Sequence, residues 1–244
     1  MSLLGSVHLI RRYPFKGMRG EDLARVFVRT SGLTGDRVYA LTDAGSTSNF
    51  PWITSRLVPE MVLFEPKLLD PPPPEVKYPA ESNYRVEITF PDGTVQAAES
   101  PAFVPALEAR WGRKLKLRFS EGGMHDARPV SILGLSSLEQ LEREVQMPLD
   151  HTRFRANFYV KWREPGPFFE ETLLGRTIQI GDKVRVHVSK RNKRCVVITL
   201  DPRTAQSSPQ ILKHVGQKYG GNAGVYASVI DDGVVNVGDP ISLV

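Results

Sequence analysis

The segment SKRNKRCVVITLDP at 189–202 holds the only cysteine of the 244-residue chain, Cys195. Nearby cations favour the thiolate form of a cysteine, which is the form that attacks electrophiles and binds soft metals. The segment is therefore compatible with a metal ligand, with a nucleophile or with a small buried residue, which is the commonest role of a lone cysteine. Four cations precede the thiol, and they are Lys190, Arg191, Lys193 and Arg194.

Two of the reactive roles need partner residues in recognisable patterns. A cysteine nucleophile of a hydrolase needs a histidine base, and a structural zinc site needs about four cysteine or histidine ligands at close spacing. Both roles are disfavoured here, because the histidines show neither pattern. Two roles of Cys195 therefore stay open. It is either the one protein ligand of a metal that a cofactor mainly holds, or a small buried residue. The five histidines are His8, His125, His151, His187 and His214.

The charge of the chain favours an anionic partner. The formal net charge is +5 and the sequence pI is near 9.3, which suits nucleic acid, a phosphorylated small molecule or an acidic protein. Nucleic acid is disfavoured, because the chain lacks the aromatic rows between lysines and arginines that proteins use to bind single strands. A single cysteine also excludes an iron–sulfur cluster held within this chain, so any electrons come from another molecule.

The amino-terminal stretch MSLLGSVHLIRRYP at 1–14 does not resemble a secretory signal, because no charged region precedes its short apolar run. Elsewhere no run approaches the roughly 18 apolar residues that a membrane-spanning helix needs. We therefore expect a cytoplasmic protein that does not associate with membranes.

Short segments in which apolar and polar residues alternate dominate the chain, which is typical of half-buried strands. Gly-Asp and Asp-Gly pairs separate them as turns. The fold class is therefore predicted to be mostly β, with a few helices. If the alternation continued after Cys195, Val197 and Thr199 would share its face of a strand. The clearest alternating segments are 25–29, 84–90, 114–119, 183–189 and 225–230.

Three amphipathic stretches predict helices, because each follows a serine that can cap a first turn. Gly112 is expected to end the first helix, and Gly220 the third. The capping residues are Ser100, Ser136, and either Ser207 or Ser208.

Two segments without regular patterns divide the chain. The proline-rich stretch DPPPPEVKYPAESN at 70–83 is predicted to be an exposed connecting loop, because proline cannot donate to a sheet. The stretch SEGGMHD at 120–126 ends one strand pattern and precedes a new one, and it predicts a domain boundary. We therefore expect two β-rich domains, at 1–119 and 120–244.

Several stretches along the chain together resemble the MOSC family, which is named for the C-terminal domain of molybdenum cofactor sulfurases. The closest likeness is to its amidoxime-reducing branch. The resemblance implies an N-terminal β-barrel lobe at 1–119, a MOSC β-barrel at 120–244 and a molybdenum–molybdopterin cofactor between them. The stretches are YPFKG at 13–17, GLTGDRVYAL at 32–41, ITSR at 53–56, MHDARPVSIL at 124–133, TRFRANFYV at 152–160, KRCVVITLDPRT at 193–204, and GVY with VGDPISL near the end.

The same resemblance implies roles for individual residues. Cys195 would ligate molybdenum, and Asp126 would donate or relay a proton, although a turn residue is an equal interpretation of Asp126. Guanidinium, ammonium and amide groups suit a cofactor that ends in a phosphate and carries a polar pterin. Any single arginine among them could equally be a solvated surface charge. The implied cofactor-binding residues are Lys16, Arg37, Ser55, Arg56, Arg153, Arg155, Asn157 and Arg194.

Two positions depart from the amidoxime-reducing pattern. Gly17 stands where those reductases usually have a serine, and RTAQSS at 203–208 replaces a shorter turn. These departures put the substrate in doubt more than the cofactor.

The function that the resemblance implies is two-electron reduction of N-hydroxylated or N-oxide substrates by a molybdenum-dependent oxidoreductase. Its electrons would come from a separate ferredoxin-like protein or flavin reductase. The alternative is a carrier that binds the cofactor without catalysis, or a sulfur-transfer module. Pyridoxal phosphate is not expected, because the desulfurase domain that uses it in cofactor sulfurases has no room in this chain.

Overall fold

The computed structural model describes residues 2–48, 50–76, 79–164 and 166–244. Within these ranges it contains seventeen strands and three α-helices. Strands β1 to β10 are Ser2–Arg12, Glu21–Leu23, Arg25–Arg29, Gly32–Leu33, Tyr39–Asp43, Trp52–Ile53, Glu65–Leu68, Val86–Thr89, Val95–Ala97 and Leu115–Phe119. Strands β11 to β17 are Val130–Gly134, Phe158–Trp162, Thr177–Ile180, Val184–Lys193, Asn222–Asp231, Gly233–Asn236 and Pro240–Leu243.

Helices α1, α2 and α3 are Phe103–Trp111, Leu135–Val145 and Pro209–Tyr219. Short 3-10 helices occupy Pro59–Leu63, Glu81–Asn83, His151–Phe154, Phe169–Leu173 and Val196–Thr199. The predicted mostly β fold with a few helices is confirmed. No helix in the described ranges is long and apolar enough to cross a membrane.

The largest sheet of the molecule forms a closed barrel. In the described chain its seven strands follow the order β12, β11, β15, β14, β13, β17 and β1, and pairing of β1 with β12 closes it. The pair of β11 and β12 is parallel, and the other pairs of the barrel are antiparallel. Alternating side chains such as Val184, Val186 and Val188 of β14 are fully buried inside it. These β-branched residues suit a pleated surface that is buried on one face.

The N-terminal half packs around aromatic side chains. The sheet β10-β5-β6 and the sheet β7-β8-β9 lie in this half, and β3 and β4 form a third sheet with β16. The first two sheets share a core that contains Phe15, Phe64, Phe103, Tyr39 and Tyr84, all of them buried, whereas the third sheet packs against the barrel core. This aromatic core supports the loops that reach toward the barrel.

The two halves of the chain exchange strands. Strand β1 belongs to the barrel, where it pairs with β12 and β17, and β16 pairs with β3. The boundary between domains 1–119 and 120–244 stays a prediction, since hydrogen-bonded pairs cross it in both directions.

The helices differ from prediction mainly at their first turns. Helix α1 begins two residues after Pro101, and Ser100 instead accepts a hydrogen bond from the Ala102 N–H (3.3 Å). Helix α2 begins at Leu135 directly after β11, so Ser136 lies inside the helix and the prediction that it is the cap is wrong. Helix α3 follows Ser208 and stops before Gly220, as expected.

The proline-rich segment 70–83 is exposed over most of its described length, although Pro72 and Pro79 are buried. Lys77 and Tyr78 lie outside the described residues. A short 3-10 helix at Glu81–Asn83 ends the segment before β8. The loop prediction therefore holds for the part of the segment that the structure describes.

Candidate functional site

A cleft lies between the rim of the barrel and loops of the N-terminal half, and we call it the cationic cleft. It encloses about 680 Å³ including its open mouth, and Cys195 lines it. Asp126 is the one carboxylate in the described part of the lining. The cleft therefore suits an anionic ligand. Seven cations line it among the described residues: Lys16, Arg37, Arg56, Arg153, Arg155, Lys193 and Arg194.

The thiol of Cys195 is exposed at the end of strand β14. The chain leaves the barrel there and enters the 3-10 helix Val196–Thr199, so the expectation of a strand that continues to Thr199 is wrong. The helix forms because the Ile198 N–H donates to the carbonyl of Cys195 (3.2 Å), which coils the chain at the rim. An exposed thiol also excludes the small buried residue as its role.

Arg194 fixes the main chain next to the thiol. Its Nε donates to the carbonyl of Ala223 (2.7 Å), and its Nη1 donates to the carbonyl of Phe154 (2.6 Å). Gly224 makes room for this side chain, because a Cβ there would lie 3.3 Å from Nη2 of Arg194 and 2.6 Å from the carbonyl oxygen of Ile132. The guanidinium therefore joins β15 to the turn before β12, and Cys195 follows it directly.

Arg153 fixes the other side of the cysteine segment. Its Nη1 donates to the carbonyl of Thr199 (2.9 Å), and its Nη2 donates to Oδ2 of Asp201 (2.8 Å). Its Nε is buried without a hydrogen-bond partner among the described residues. A buried donor without an acceptor is costly, so the two bonds of the Nη atoms hold Arg153 here at the expense of its Nε.

Arg37 and Arg155 have unusual backbone conformations. Their φ angles are 57° and 52°, in the left-handed region that residues other than glycine rarely adopt. Their guanidinium carbons lie over the ring of Tyr13, at 4.8 and 4.4 Å from its centre. Arg155 also donates to the carbonyl of Met18 (2.5 Å), and Arg37 pairs with Asp36. Strain of this kind is typical of functional sites.

Lys16 and Asp126 form a pair at the N-terminal side of the cleft. The ammonium of Lys16 lies 2.5 Å from Oδ1 of Asp126 and 2.6 Å from the carbonyl oxygen of Met124. Burial lowers the pKa of Lys16 below its ordinary value, although Asp126 acts to raise it. Partial burial acts to raise the pKa of Asp126, but the charge and hydrogen bond of Lys16 outweigh it and hold that pKa below its ordinary value. The pair therefore holds a proton on the nitrogen.

Ser55 and Arg56 reach the cleft from the turn after β6. Ser55 is buried, whereas Arg56 is exposed and its guanidinium lies 4.2 Å from the centre of the Phe50 ring. The neighbouring Thr54 also lines the cleft. This turn contributes two hydroxyls that are shielded from solvent, those of Thr54 and Ser55, and one cation that is open to it.

Gly17 occupies a position where a larger residue would collide with its neighbours. Its φ is +87°, and a Cβ there would lie 2.9 Å from Cε of Met61 and 3.0 Å from Cα of Thr54. The lack of space for a side chain therefore explains why glycine, and not the serine of the amidoxime-reducing pattern, stands at this position. The loops at 16–17 and 54–56 approach each other closely here, and both line the cleft.

The structure brings together nine of the ten predicted site residues in the described lining of the cleft, and Asn157 is the exception. Asn157 is buried inside the barrel wall, where its Oδ1 accepts from the Ser131 hydroxyl (3.0 Å) and its Nδ2 donates to the carbonyl of Arg11 (3.2 Å). Ser131 lines the cleft in its place. Direct contact of Asn157 with a ligand in the cleft is thus not supported by the structure.

Sequence reasoning did not name several other lining residues, among them Tyr226 and Asn192. Tyr226 lies on β15, and its burial raises the pKa of its phenol above the ordinary value. The GVY stretch at 224–226 carried a signal for it, but only as part of the family pattern. Asn192 is the penultimate residue of strand β14, three residues before the thiol. It is buried, which the surrounding run of cations did not indicate.

The chemistry of this lining fits an anionic cofactor that brings its own metal ligands. In the described ranges no group of three or more histidine, cysteine or acidic side chains could hold a metal ion without such help. One exposed thiol and seven cations are available instead. A soft metal would take the thiolate, and a phosphate would take the guanidinium groups.

Comparisons with known proteins give the following matches. The family model of the MOSC domain matches residues 120–242, and that of the MOSC N-terminal beta barrel domain matches residues 4–121. No curated protein matches the chain. The YUAD protein from Bacillus subtilis has a similar structure, with a TM-score of 0.51 and 14% identity over 98% of this chain and 94% of that one. At this identity the likeness concerns the fold alone.

A second solved structure, YiiM from Geobacillus stearothermophilus, gives a TM-score of 0.38 and 21% identity. That alignment covers 48% of this chain and 54% of the other.

Proposed function

Because the chain belongs to the MOSC domain family, we propose that it binds the molybdenum–molybdopterin cofactor in the cationic cleft and reduces N-hydroxylated or N-oxide substrates with it. The observation that carries this proposal is the exposed thiol of Cys195 in a cleft with seven described cations. Such a lining offers a soft ligand and anion-binding groups together, without other protein ligands for a metal.

Cys195 is the proposed metal ligand. Arg155 and Arg194 are the proposed partners of the phosphate or pterin, because neither contacts a carboxylate among its described hydrogen bonds. Arg153 adds a further positive charge, and Ser55 adds a hydroxyl. When bound, the cofactor supplies a molybdenum centre whose oxidation state changes by two electrons.

The Lys16–Asp126 pair is proposed to deliver protons. Reduction of an N-hydroxyl group breaks the N–O bond, consumes two electrons and two protons, and releases water. Asp126 is half exposed to the cleft and its carboxylate lies against the ammonium of Lys16, so a proton released from Nζ can pass through that carboxylate to the substrate. Because burial lowers the pKa of Lys16, that release is easier than from a solvated lysine.

Electrons are proposed to arrive from a separate acidic protein, of the ferredoxin-like or flavin reductase kind. Lys193 lies at the cleft and Lys190 lies on the same strand, and both are exposed. Complementary charge accelerates the encounter of such partners and makes it sensitive to salt. The basic strand end beside Cys195 is thus a suitable place for electron entry.

Metal analysis tests the proposal directly. Protein from a host that makes the cofactor should contain about one molybdenum per chain, and Cys195→Ala should lose it because the cofactor then lacks its protein ligand. Val196→Ala is a matched control, since Val196 is the exposed neighbour of the cysteine and is not part of the cleft lining. Metal-free wild-type protein, or full molybdenum in Cys195→Ala, would contradict the proposal.

A carrier of the cofactor is the second candidate, and the open mouth of the cleft with its exposed thiol favours it. Chemically reduced holoprotein should reduce an amidoxime if it is a reductase. A carrier should instead pass its cofactor to an apo-enzyme that uses molybdopterin, without turnover of the amidoxime. The two measurements on one preparation separate the candidates.

A further inference from the structure

A second groove opens beside the cationic cleft, and we call it the aromatic groove. Its apolar lining consists of Phe50, Pro51, Trp52, Ile53 and Leu57. Residues 54 and 56 line both the groove and the cleft, so the two spaces are continuous at the turn after β6. The groove is therefore placed to hold the part of a ligand that extends out of the cleft.

The groove is built on a short hairpin. Strand β6 pairs with β5 in the register Leu41 with Ile53 and Thr42 with Trp52, which anchors its inner end. The outer end remains open, because Phe50 is 39% exposed and Leu57 is 56% exposed. Adjacent exposed apolar side chains beside a polar cleft are typical of a ligand-binding surface.

One ammonium group connects the groove to the proposed proton donor. The Nζ atom of Lys16 lies 5.6 Å from the ring centre of Phe50 and 5.8 Å from that of Trp52. The same Nζ atom contacts Asp126 at 2.5 Å. A ligand whose reacting end lies at Asp126 thus has two aromatic rings within reach of its other end.

We propose that the aromatic groove binds the organic part of the substrate and selects flat, uncharged aromatic compounds; this inference rests on the proposed function. Phe50 and Trp52 offer ring faces and edges for stacking, which favours aromatic over aliphatic bodies. Lys16 and Arg56 stand beside these rings and repel a cationic body, whereas Asp43, the carboxylate of the described groove lining, is paired with Arg113 (3.7 Å).

The same charges assist product release when the substrate is an amidoxime. Its N–O bond is replaced by an N–H bond, with two electrons from the bound cofactor and two protons, and water leaves. The amidine that results is basic and takes up a further proton from solvent. Its positive charge then lies among the seven described cations of the cleft, whose single carboxylate, Asp126, is already paired with Lys16, so its affinity falls below that of the neutral substrate.

Fluorescence titration tests the groove without turnover. Trp52 is one of three tryptophans in the chain, and benzamidoxime should quench its emission, whereas acetamidoxime and the cationic benzamidine should bind at least about tenfold more weakly. The signal should vanish in Trp52→Phe. Phe50→Ala should weaken benzamidoxime about tenfold through loss of ring contact. Val95→Ala is the control, because Val95 is an exposed apolar residue of β9 outside the groove lining.

Steady-state kinetics separates failure of the groove from failure of the proposed function. In active holoprotein, Phe50→Ala should lower the ratio of kcat/KM for benzamidoxime to kcat/KM for acetamidoxime about tenfold. An unchanged ratio in an active enzyme overturns the groove proposal alone. Protein without molybdenum that still shows selective quenching overturns the proposed function and leaves the groove as an aromatic binding site.

Two further outcomes would also overturn the proposal for the aromatic groove. Benzamidine that binds as tightly as benzamidoxime overturns the selection against charge. A dimer in solution that Phe50→Ala converts to a monomer, with no quenching by benzamidoxime, assigns the groove to a second copy of the chain instead.

Discussion

Arg194 on the barrel side of the cationic cleft is held by different contacts from Lys16 and Arg37 on the N-terminal side. On the barrel side, the described hydrogen bonds of Arg194 all go to main-chain carbonyls, those of Ala223 and Phe154. On the N-terminal side, Lys16 pairs with Asp126 and Arg37 pairs with Asp36. The charge of Arg194 is therefore left uncompensated, whereas Lys16 and Arg37 each have an anionic partner.

This difference assigns anion binding and proton exchange to different parts of the cleft. A carbonyl oxygen orients a guanidinium without neutralising it and does not titrate, so Arg194 keeps its positive charge uncompensated, although Arg153 on the same side is paired with Asp201. A carboxylate neutralises its partner and takes up protons in acid. An anion is therefore better attracted to the side of Cys195, and proton exchange is better supported on the side of Asp126.

The largest expected effect comes from removing the carbonyl-bound cation. Arg194→Ala leaves the carbonyls of Ala223 and Phe154 without this donor, and each unsatisfied buried acceptor costs on the order of 1–3 kcal/mol. We expect a loss of about 3 kcal/mol in the free energy of unfolding, measured by urea denaturation.

Lys193→Ala is the matched control, because Lys193 is the exposed preceding cation in the same cleft. Its substitution should change the free energy of unfolding by less than about 0.5 kcal/mol. Equal effects of the two substitutions would show that charge, and not the carbonyl bonds, governs stability on this side.

A smaller effect is expected where the N-terminal side depends on close packing. Gly17→Ser puts a Cβ 2.9 Å from Cε of Met61 in a left-handed conformation, and we expect a loss of about 2 kcal/mol. For a chain of this size that corresponds to a fall in Tm of roughly 4–8 °C, measurable by calorimetry.

Gly93→Ser separates strain from contact. Gly93 has φ +86°, nearly the same as Gly17, but a Cβ there meets nothing within 4 Å. In Gly93→Ser the free energy of unfolding should therefore fall only by the cost of the left-handed backbone conformation. If Gly93→Ser and Gly17→Ser lower Tm equally, the close approach of the two cleft loops contributes nothing measurable.

The smallest effect on stability is expected for the titrating pair. The side chain of Asp126 is 55% exposed, although that of Lys16 is only 4% exposed, and solvent at the carboxylate limits the contribution of such a pair to about 1 kcal/mol. Its pKa is lower in the folded protein, so its stabilisation is present above the ordinary range of an aspartate and is lost as the pH falls through the lowered folded value. Urea denaturation of wild type and Asp126→Asn should therefore differ at neutral pH and converge in acid.

The same variant changes the titration of Lys16. Asp126 acts to raise the pKa of Lys16, so Asp126→Asn should lower that pKa further, as seen in the 13Cε shift of the lysine. A lysine with a lowered folded pKa binds fewer protons than in the unfolded chain, so stability should recover as the pH rises through the alkaline range. A pKa of Lys16 that is the same in both proteins would contradict the pairing.

The sequence could predict the thiol and its neighbouring cations, since they are adjacent in the chain. It could not predict how Arg194 is held, because its acceptors lie 29 and 40 residues away on other elements. The coiling of 196–199 was also missed, since a run of β-branched residues is typical of a strand. Tertiary contacts at the rim, including the bond from Arg153 to Thr199, support the helical turn instead.

The family pattern identified residues that are distant in sequence but line the same cleft, which composition alone could not do. Nine of the ten residues that it named line one cleft in the described chain, and their roles stay predictions. Asn157 shows that the family pattern does not place every residue correctly. It follows two cleft arginines closely in sequence, but its amide lies in the barrel wall and accepts hydrogen bonds from Ser131. The aromatic groove was not predicted, since Phe50 and Trp52 lie in a stretch without periodic pattern.

The position of β1 has a consequence for the order in which the molecule can assemble during synthesis. Strand β1 is made first, yet its partners β12 and β17 lie at 158–162 and 240–243. At ribosomal rates the last of these emerges roughly ten to fifty seconds after β1. Until then the barrel has an open edge, which can pair with other chains. Production of this protein should therefore benefit from slow growth or chaperones, and a fragment that begins at residue 120 lacks the strand that closes its own barrel.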